Sequence, residues 1–238
     1  AIYSTFMQRA YDMVIHDIAL QQLPVRICMD RGGLSGDDGP THHGLFDIGY
    51  LRHIPGIIHM APKDEAEFAT MLKWMATYDA GPTAIRYPRG PIAGTPIDAP
   101  CEPIEPGRGE LITEGTDVTL IGLGTMFSLA AKTKSLLEKR GLSVGLVNPR
   151  FIKPLDTALL EKVANQSKVL CTFEDHVLHH GFGAAVIEHL HDARIATPVA
   201  RIGWPDEFIQ HGKADILQEL HHLTPEAAVE KIIALLDS

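Results

Sequence analysis

The chain has 238 residues, 45% hydrophobic and 21% charged, which is enough apolar mass for a real core and enough length for one large or two ordinary domains. Its 30 acidic and 21 basic side chains leave a formal charge of −9, which argues against nucleic acid or an anionic membrane surface as the main partner. A few arginines inside a pocket can still outweigh that field locally. No run approaches the ~18 apolar residues of a membrane span. Three cysteines without C-x-x-C spacing fit neither a disulfide framework nor a thiolate zinc site, and point to a reducing compartment.

In chain order, Ala1-Ile2-Tyr3 reads as the end of a buried strand with no Met and no basic leader. The chain is therefore expected to be the C-terminal piece of a longer one. Ser4 or Thr5 caps a helix with Met7, Tyr11, Val14, Ile15 and Ile18 at i, i+3/i+4 spacing. Pro24 introduces a short parallel strand, Val25 to Met29, followed by a polar, glycine-rich loop from Asp30 to Gly44. Ile57 to Met60 and Thr83 to Tyr87 are further strands. Between them Asp64 caps a helix with Phe68, Met71, Leu72 and Met75 on one face. Six prolines among the nineteen residues from Pro88 to Pro106 mark a linker. Strands then recur at 118–122, 143–147, 168–173 and 199–202, with helices at 128–139, 156–164, 182–191 and, from a Thr224 cap and Pro225, at 227–236. The alternation predicts an α/β fold with mostly parallel sheets, divided into 1–90, a linker at 91–106, and 107–238.

The Asp30–Gly44 loop leaves the C-terminal end of a parallel strand, where open α/β sheets place their ligands. Five glycines in fifteen residues let backbone approach a ligand, and the loop carries Arg31, Asp37, Asp38, His42 and His43. A solvated surface loop has the same composition. Arg86-Tyr87-Pro88-Arg89-Gly90 ends the next strand, so Arg31 and Arg89 converge on one side of the sheet. Planar guanidinium forks there suit a phosphate dianion, and ordinary ion pairing is the alternative. Tyr3, Phe6 and Arg9 at the first strand–helix turn suit a flat heterocycle, though aromatics there are also common core. His176, His179 and His180, beside Glu174 and Asp175, have helical metal-ligand spacing. They follow a strand and run into Gly181-Phe182-Gly183, so a loop is expected and no metal site. His189, His191, His221 and His222 fit exposed or capping roles.

Together these segments resemble the 1-deoxy-D-xylulose-5-phosphate synthase family of the wider transketolase superfamily. The resemblance runs over residues 3–12 (Tyr-Ser-Thr-Phe-Met-Gln-Arg-Ala-Tyr-Asp), Asp30-Arg31-Gly32-Gly33-Leu34, and Asp38-Gly39-Pro40-Thr41-His42-His43-Gly44. It continues through Phe46-Asp47, residues 86–90, residues 150–156 (Arg-Phe-Ile-Lys-Pro-Leu-Asp) and Gly181-Phe182-Gly183. It implies a truncated thiamine-diphosphate pyrimidine-binding domain followed by a transketolase-type C-terminal α/β domain. The implied activity condenses pyruvate with D-glyceraldehyde 3-phosphate, with loss of CO2, to 1-deoxy-D-xylulose 5-phosphate, the entry to non-mevalonate isoprenoid synthesis. By resemblance Phe6 and Arg9 hold the aminopyrimidine. Tyr3, Asp38 and His42 line the space above the thiazolium and act in catalysis, and Arg31 and Arg89 clamp the aldehyde's phosphate. Asp37 and His43 receive no role.

The chain also departs from that pattern. The family's catalytic Glu belongs upstream of Ala1, and its Gly-Asp-Gly…Asn motif for Mg2+ and the diphosphate belongs to an N-terminal domain. Gly122-Leu123-Gly124 is no substitute. The Mg2+ and diphosphate ligands are thus expected in a missing N-terminal portion, which becomes a required partner, and the fragment alone is expected to be inactive. The resemblance further implies a homodimer in the cytoplasm, or in a plastid for a plant source. Two other readings stand beside it. One is a C-terminal transketolase subunit or the β subunit of a 2-oxo acid dehydrogenase, each of which carries its own Glu upstream of the position of Tyr3. The other is a non-catalytic dimerisation or binding module, which the second domain favours and the Arg31–His42 chemistry opposes.

Overall fold

A computed structural model describes residues 1–237. The strands are β1 (Ile2–Tyr3), β2 (Arg26–Asp30), β3 (Ile58–Met60), β4 (Thr83–Arg86), β5 (Glu110–Thr113), β6 (Val118–Gly122), β7 (Val144–Asn148), β8 (Phe151–Lys153), β9 (Val169–Val177) and β10 (Val199–Trp204). The helices are α1 (Ser4–Met7), α2 (Tyr11–Met13), α3 (Asp47–Leu51), α4 (Glu65–Thr77), α5 (Phe127–Glu138), α6 (Thr157–Gln166), α7 (Phe182–Asp192), α8 (Ala214–Leu220) and α9 (Pro225–Leu236).

Two five-stranded sheets result, in the orders β1-β2-β4-β3-β8 and β10-β9-β6-β7-β5. Each has four parallel strands and one antiparallel edge strand, β8 or β5. The expected α/β class with mostly parallel sheets is what forms. Side-chain alternation divides the first sheet's core. Ile27, Met29 and Ala84 pack with Met7, Val14 and Leu51 on one face, and Ile58, Met60 and Ile85 pack with Met71 and Met75 of α4 on the other. In the second sheet Val118, Leu120, Leu146 and Phe173 face α5 and α9, while Ile121, Val147 and Leu170 face α6 and α7. Three helices start on side-chain caps, two of them, Asp64 and Thr224, as expected. Asp64 accepts from the Glu67 N–H (2.8 Å), Asp156 from Leu159 (3.0 Å) and Thr224 from Ala227 (3.2 Å).

The helix expected from residue 4 to 18 is wound unevenly. It runs as α1, a 3-10 turn at Gln8–Ala10, α2, and a π turn at Val14–Ala19. The Ser4 carbonyl, which a regular helix would use internally, accepts from the Tyr50 hydroxyl (2.9 Å). Short elements without a strong period (α3, α8, β5 and β8) were not foreseen. Of these β8 matters most, because it follows the proline-rich linker yet pairs with β3 of the first sheet. Phe151, fully buried, enters that sheet's core.

A polar knot lies beside this splice. The Glu67 carboxylate, 0% exposed, accepts from Arg150 Nε (2.8 Å), Asn148 Nδ2 (2.8 Å) and the Lys63 N–H (2.7 Å). Arg150 NH2 also reaches Glu110 (2.6 Å). Buried charges that are paired and hydrogen-bonded in this way fix geometry more than they add stability. Leu45, Ile48 and Ala61 from the first ninety residues sit within the clusters of the second sheet, so the two sheets share a continuous core.

Candidate active site

The site is assembled at the C-terminal ends of β1, β2 and β4. Tyr3 registers opposite Asp30, and Met29 opposite Arg86, so the chain leaves these three strands side by side. The loop after β2 is drawn closed at its neck by reciprocal bonds between Gly33 and Gly44 (both 2.8 Å) and by the Gly32 N–H to the Tyr87 carbonyl (2.8 Å). A Cβ at Gly44 would lie 2.1 Å from the Arg31 carbonyl oxygen, so only glycine closes this neck. Inside it, Gly36–Asp38 forms a 3-10 turn, and Thr41 is held by its carbonyl accepting from Thr5 Oγ1 (3.1 Å).

Six of the seven sequence-selected residues come together. The rings of Tyr3 and Phe6 stack with centroids 5.4 Å apart and planes 19° apart, and the His42 ring meets Phe6 edge-on at 5.4 Å. Phe6 stays 41% exposed despite being aromatic, which leaves a shelf suited to a planar heteroaromatic ring. The Arg31 guanidinium lies 3.9 Å above the Tyr3 ring centroid, a cation–π contact. Arg31 occupies the left-handed region (φ 58°), a conformation costing about 1–2 kcal/mol for a non-glycine residue. Asp30 offsets that cost by accepting from the Arg31 N–H (2.7 Å) and NH1 (2.8 Å).

Asp38 sits between the two arginines. Its Oδ2 accepts from Arg31 Nε (3.2 Å) and its Oδ1 from Arg89 NH1 (3.1 Å). Convergence of Arg31 and Arg89 is therefore real, and a single carboxylate links them. Arg89 NH1 also reaches the Ser35 carbonyl (3.4 Å), and its side chain remains 47% exposed. His42 is half-buried, with Nδ1 3.0 Å from the Thr41 hydroxyl. Arg9 stands apart on the exposed 3-10 turn, without an ion pair or hydrogen bond among the described residues.

His43, next to His42, is of another kind. It is 2% exposed, its Nδ1 accepts from the Ser35 N–H (3.1 Å), and its Nε2 therefore carries the hydrogen donated to the Gln210 carbonyl (3.2 Å). Burial lowers its pKa and keeps it neutral, as that bonding requires. The three histidines with metal-like spacing do not gather. His176 lies within β9, one residue from its end, buried, bonded to the Val177 carbonyl (2.6 Å) and the Gly49 N–H (3.2 Å), and burial pulls its pKa to about 4. His179 is exposed and faces Asp206 (3.6 Å). Among the described residues no group of three or more His, Cys, Asp or Glu is placed to hold a metal.

Sequence reasoning passed over Arg86 and Asp47. Arg86 is 4% exposed; its Nε donates to both Asp47 oxygens (3.1 and 2.9 Å) and its NH2 to the carbonyls of Gly44 (3.2 Å) and Asp175 (3.0 Å). It ties β4, the loop neck and the end of β9 together. Its place one turn of sequence from Arg89 was the available signal. His59 also lies in this buried group, with neither ring nitrogen partnered, and burial takes its pKa down to about 3.

Comparison with known proteins identifies both domains of the chain. Residues 1–93 match the transketolase pyrimidine binding domain and residues 107–227 the transketolase C-terminal domain. The chain is 51% identical over 232 residues to a 1-deoxy-D-xylulose-5-phosphate synthase of Acidobacterium capsulatum, covering 98% of this chain and 37% of that protein. It is 51% identical over 236 residues to the synthase of Methylacidiphilum infernorum (99% and 37%), and 50% identical over 224 residues to that of Heliobacterium modesticaldum (94% and 34%). It thus spans little more than a third of the length of these relatives. A solved structure described as a split gene transketolase, an inactive beta4 tetramer, superposes with a TM-score of 0.87 at 28% identity, covering 99% of this chain and 74% of that one. With two successive domain matches over nearly its whole length, the chain belongs to the transketolase family, as its pyrimidine-binding domain followed by its C-terminal domain.

Proposed function

We propose that this chain forms part of a thiamine diphosphate-dependent transferase that joins pyruvate to D-glyceraldehyde 3-phosphate, with loss of CO2, giving 1-deoxy-D-xylulose 5-phosphate. The observation that carries the reading is the pair of arginines from neighbouring strand ends, Arg31 and Arg89, bridged by Asp38 beside the Tyr3–Phe6–His42 aromatic group. The names and identities of the relatives support the choice of substrates.

Thiamine diphosphate, when bound, supplies the electron sink for carbon–carbon bond formation. Phe6, with its exposed ring, would hold the pyrimidine by stacking, and Arg9 is the residue that would meet that ring's polar edge. Tyr3 and His42 would hydrogen-bond the substrate above the bound cofactor, and the His42 imidazole would be placed to hold or move a proton there. Arg31 and Arg89 bind the aldehyde's phosphate with charge-assisted, forked hydrogen bonds. Asp38 accepts from both guanidiniums and so sets their separation before substrate arrives. The Mg2+ and diphosphate ligands and the Glu that acts on the aminopyrimidine come from the remaining two-thirds of the length of such enzymes, and the 238-residue chain alone is inactive. The assembled enzyme is a homodimer.

The test is steady-state kinetics in the full-length protein. Arg31→Ala or Arg89→Ala removes a contact worth about 1.5–3 kcal/mol and raises KM for the phosphorylated aldehyde roughly 10- to 150-fold, with little change for pyruvate. Equal effects on both substrates would sink the assignment. Likeness to a split gene transketolase favours a second reading, in which this chain is a separately encoded subunit. Intact-mass measurement of the purified complex under denaturing conditions separates the two, since a separate subunit appears as its own 238-residue species beside a larger polypeptide.

A further inference from the structure

The second domain, residues 107 onward, contributes no side chain to the substrate-facing group described above, yet it reaches the loop that does. Asp175, at the end of β9, is 8% exposed and accepts the Leu34 N–H on both carboxylate oxygens (3.2 and 3.1 Å). A second donor, Trp204 Nε1 on β10, fixes its Oδ1 (2.6 Å). Trp204 is itself fully buried, so the carboxylate is aimed by a rigid neighbour. The fit against the loop is tight enough that a Cβ on Gly33, at φ 98°, would lie 2.0 Å from Asp175 Oδ2.

One residue further, Ser35 bonds to three residues of the site. Its N–H donates to His43 Nδ1 (3.1 Å), its hydroxyl donates to the His42 carbonyl (2.7 Å), and its carbonyl accepts from Arg89 NH1 (3.4 Å). His43 in turn donates from Nε2 to the Gln210 carbonyl (3.2 Å), and the Gly212 N–H donates to the Gly36 carbonyl (3.4 Å). The loop holding Arg31, Asp38 and His42 is thus seated on two supports, Asp175 and the 210–212 segment, both far along the chain. Leu34 and Asp175 are 141 residues apart.

We propose that Asp175 is a positioning residue for the phosphate-binding arginines. By fixing the Leu34 amide it holds Ser35, and through Ser35 it sets where Arg89 and His42 stand relative to Arg31 and Asp38. This gives the C-terminal domain a direct part in selecting the phosphorylated substrate. Asp175 touches neither substrate nor cofactor, and two donors, the Leu34 amide and the Trp204 indole, converge on it, so it acts as a fixed acceptor. The kinetic half of the claim rests on Arg31 and Arg89 binding phosphate; the structural half does not.

The experiment compares Asp175→Ala, Asp175→Asn and wild type. Amide hydrogen exchange is followed on the 238-residue chain, and KM for each substrate is measured on the full-length enzyme. Asp175→Ala is expected to speed exchange of the Leu34 and Ser35 amides at least tenfold while β6 and β9 stay protected, and to raise KM for glyceraldehyde 3-phosphate five- to tenfold with KM for pyruvate within twofold. Asp175→Asn keeps one acceptor oxygen and is expected to fall between. If the alanine variant fails to fold, the asparagine variant decides alone. Unchanged exchange at Leu34 and Ser35, or a KM change shared equally by both substrates while Arg89→Ala still acts on the aldehyde alone, overturns the proposal. Loss of the aldehyde selectivity of Arg89→Ala, with local exchange at Leu34 still accelerated, would instead count against the phosphate reading and leave the anchoring intact.

Discussion

Replacing Asp47 by alanine would strip the counter-ion from Arg86, whose side chain is 4% exposed while that of Asp47 is 0%. Arg86 Nε lies 3.1 and 2.9 Å from the two carboxylate oxygens, and its NH2 has only the neutral carbonyls of Gly44 and Asp175. A unit-charge pair at about 4 Å in an effective dielectric near 20 interacts by about 4 kcal/mol. Removal of one partner from a buried pair costs about 3–5 kcal/mol, because the other charge stays behind uncompensated. Asp47 Oδ1 also accepts from the Ile48 N–H (2.9 Å) at the start of α3, which adds to the loss. The expected penalty is thus about 3–5 kcal/mol, a large share of the stability of an ordinary domain. Urea unfolding of the chain, followed by circular dichroism, should show the midpoint falling with the slope unchanged. Burial opposes ionisation of Asp47, but Arg86 more than reverses this and holds its carboxyl below the usual range, so the same penalty should persist at pH 5. A loss under 1 kcal/mol would refute the reasoning, since it would mean that Arg86 finds water or another anion in the folded state.

Two further predictions concern pH. Burial raises Glu174 to about 7, although it accepts from the Phe182 (2.5 Å) and Gly183 (2.9 Å) amides, so between its ordinary value of 4.5 and 7 the folded state binds the extra proton. Its contribution therefore weakens as pH rises through that window, by up to about 3 kcal/mol, and Glu174→Gln should flatten this component in a stability-against-pH series. His59 has the opposite sign. Its pKa falls from 6.5 to about 3 on folding, so the unfolded chain takes up the proton first and stability is lost as pH drops below 6.5. His59→Leu should remove that acid sensitivity and, by eliminating two unpartnered buried nitrogens, raise stability at pH 7 by about 1–3 kcal/mol in thermal or urea melts. A destabilised leucine variant would show that the imidazole has a partner in solution.

The sequence made the main strands legible where apolar runs are dense, as in Val118–Gly122 and Val144–Asn148, because burial on both faces leaves no other use for such residues. It did not reveal β8, whose three residues pair with a strand far earlier in the chain. The loop residues Arg31, Asp38 and His42 were legible from glycine content and charge at a strand end, and Tyr3 and Phe6 from the adjoining turn. Spacing alone could not place Asp38 between Arg31 and Arg89, since that depends on the 3-10 turn at Gly36–Asp38. Nor could it separate His42 from its neighbour His43. One stays half-buried beside Phe6, while the other is committed to backbone groups of Ser35 and Gln210. Asp47 and Arg86 are 39 residues apart, and Asp175 belongs to the other sheet, so their roles emerge only from packing.

The most direct test compares D-glyceraldehyde 3-phosphate with unphosphorylated D-glyceraldehyde in the full-length enzyme, for wild type and for the Arg31→Ala and Arg89→Ala variants. The ratio of kcat/KM values isolates the phosphate. Wild type is expected to prefer the phosphorylated aldehyde strongly, a preference reduced roughly 10- to 150-fold by each substitution, while turnover of the unphosphorylated aldehyde is nearly unchanged. A preference that survives both substitutions would contradict the assignment of Arg31 and Arg89, because the phosphate would then be held elsewhere.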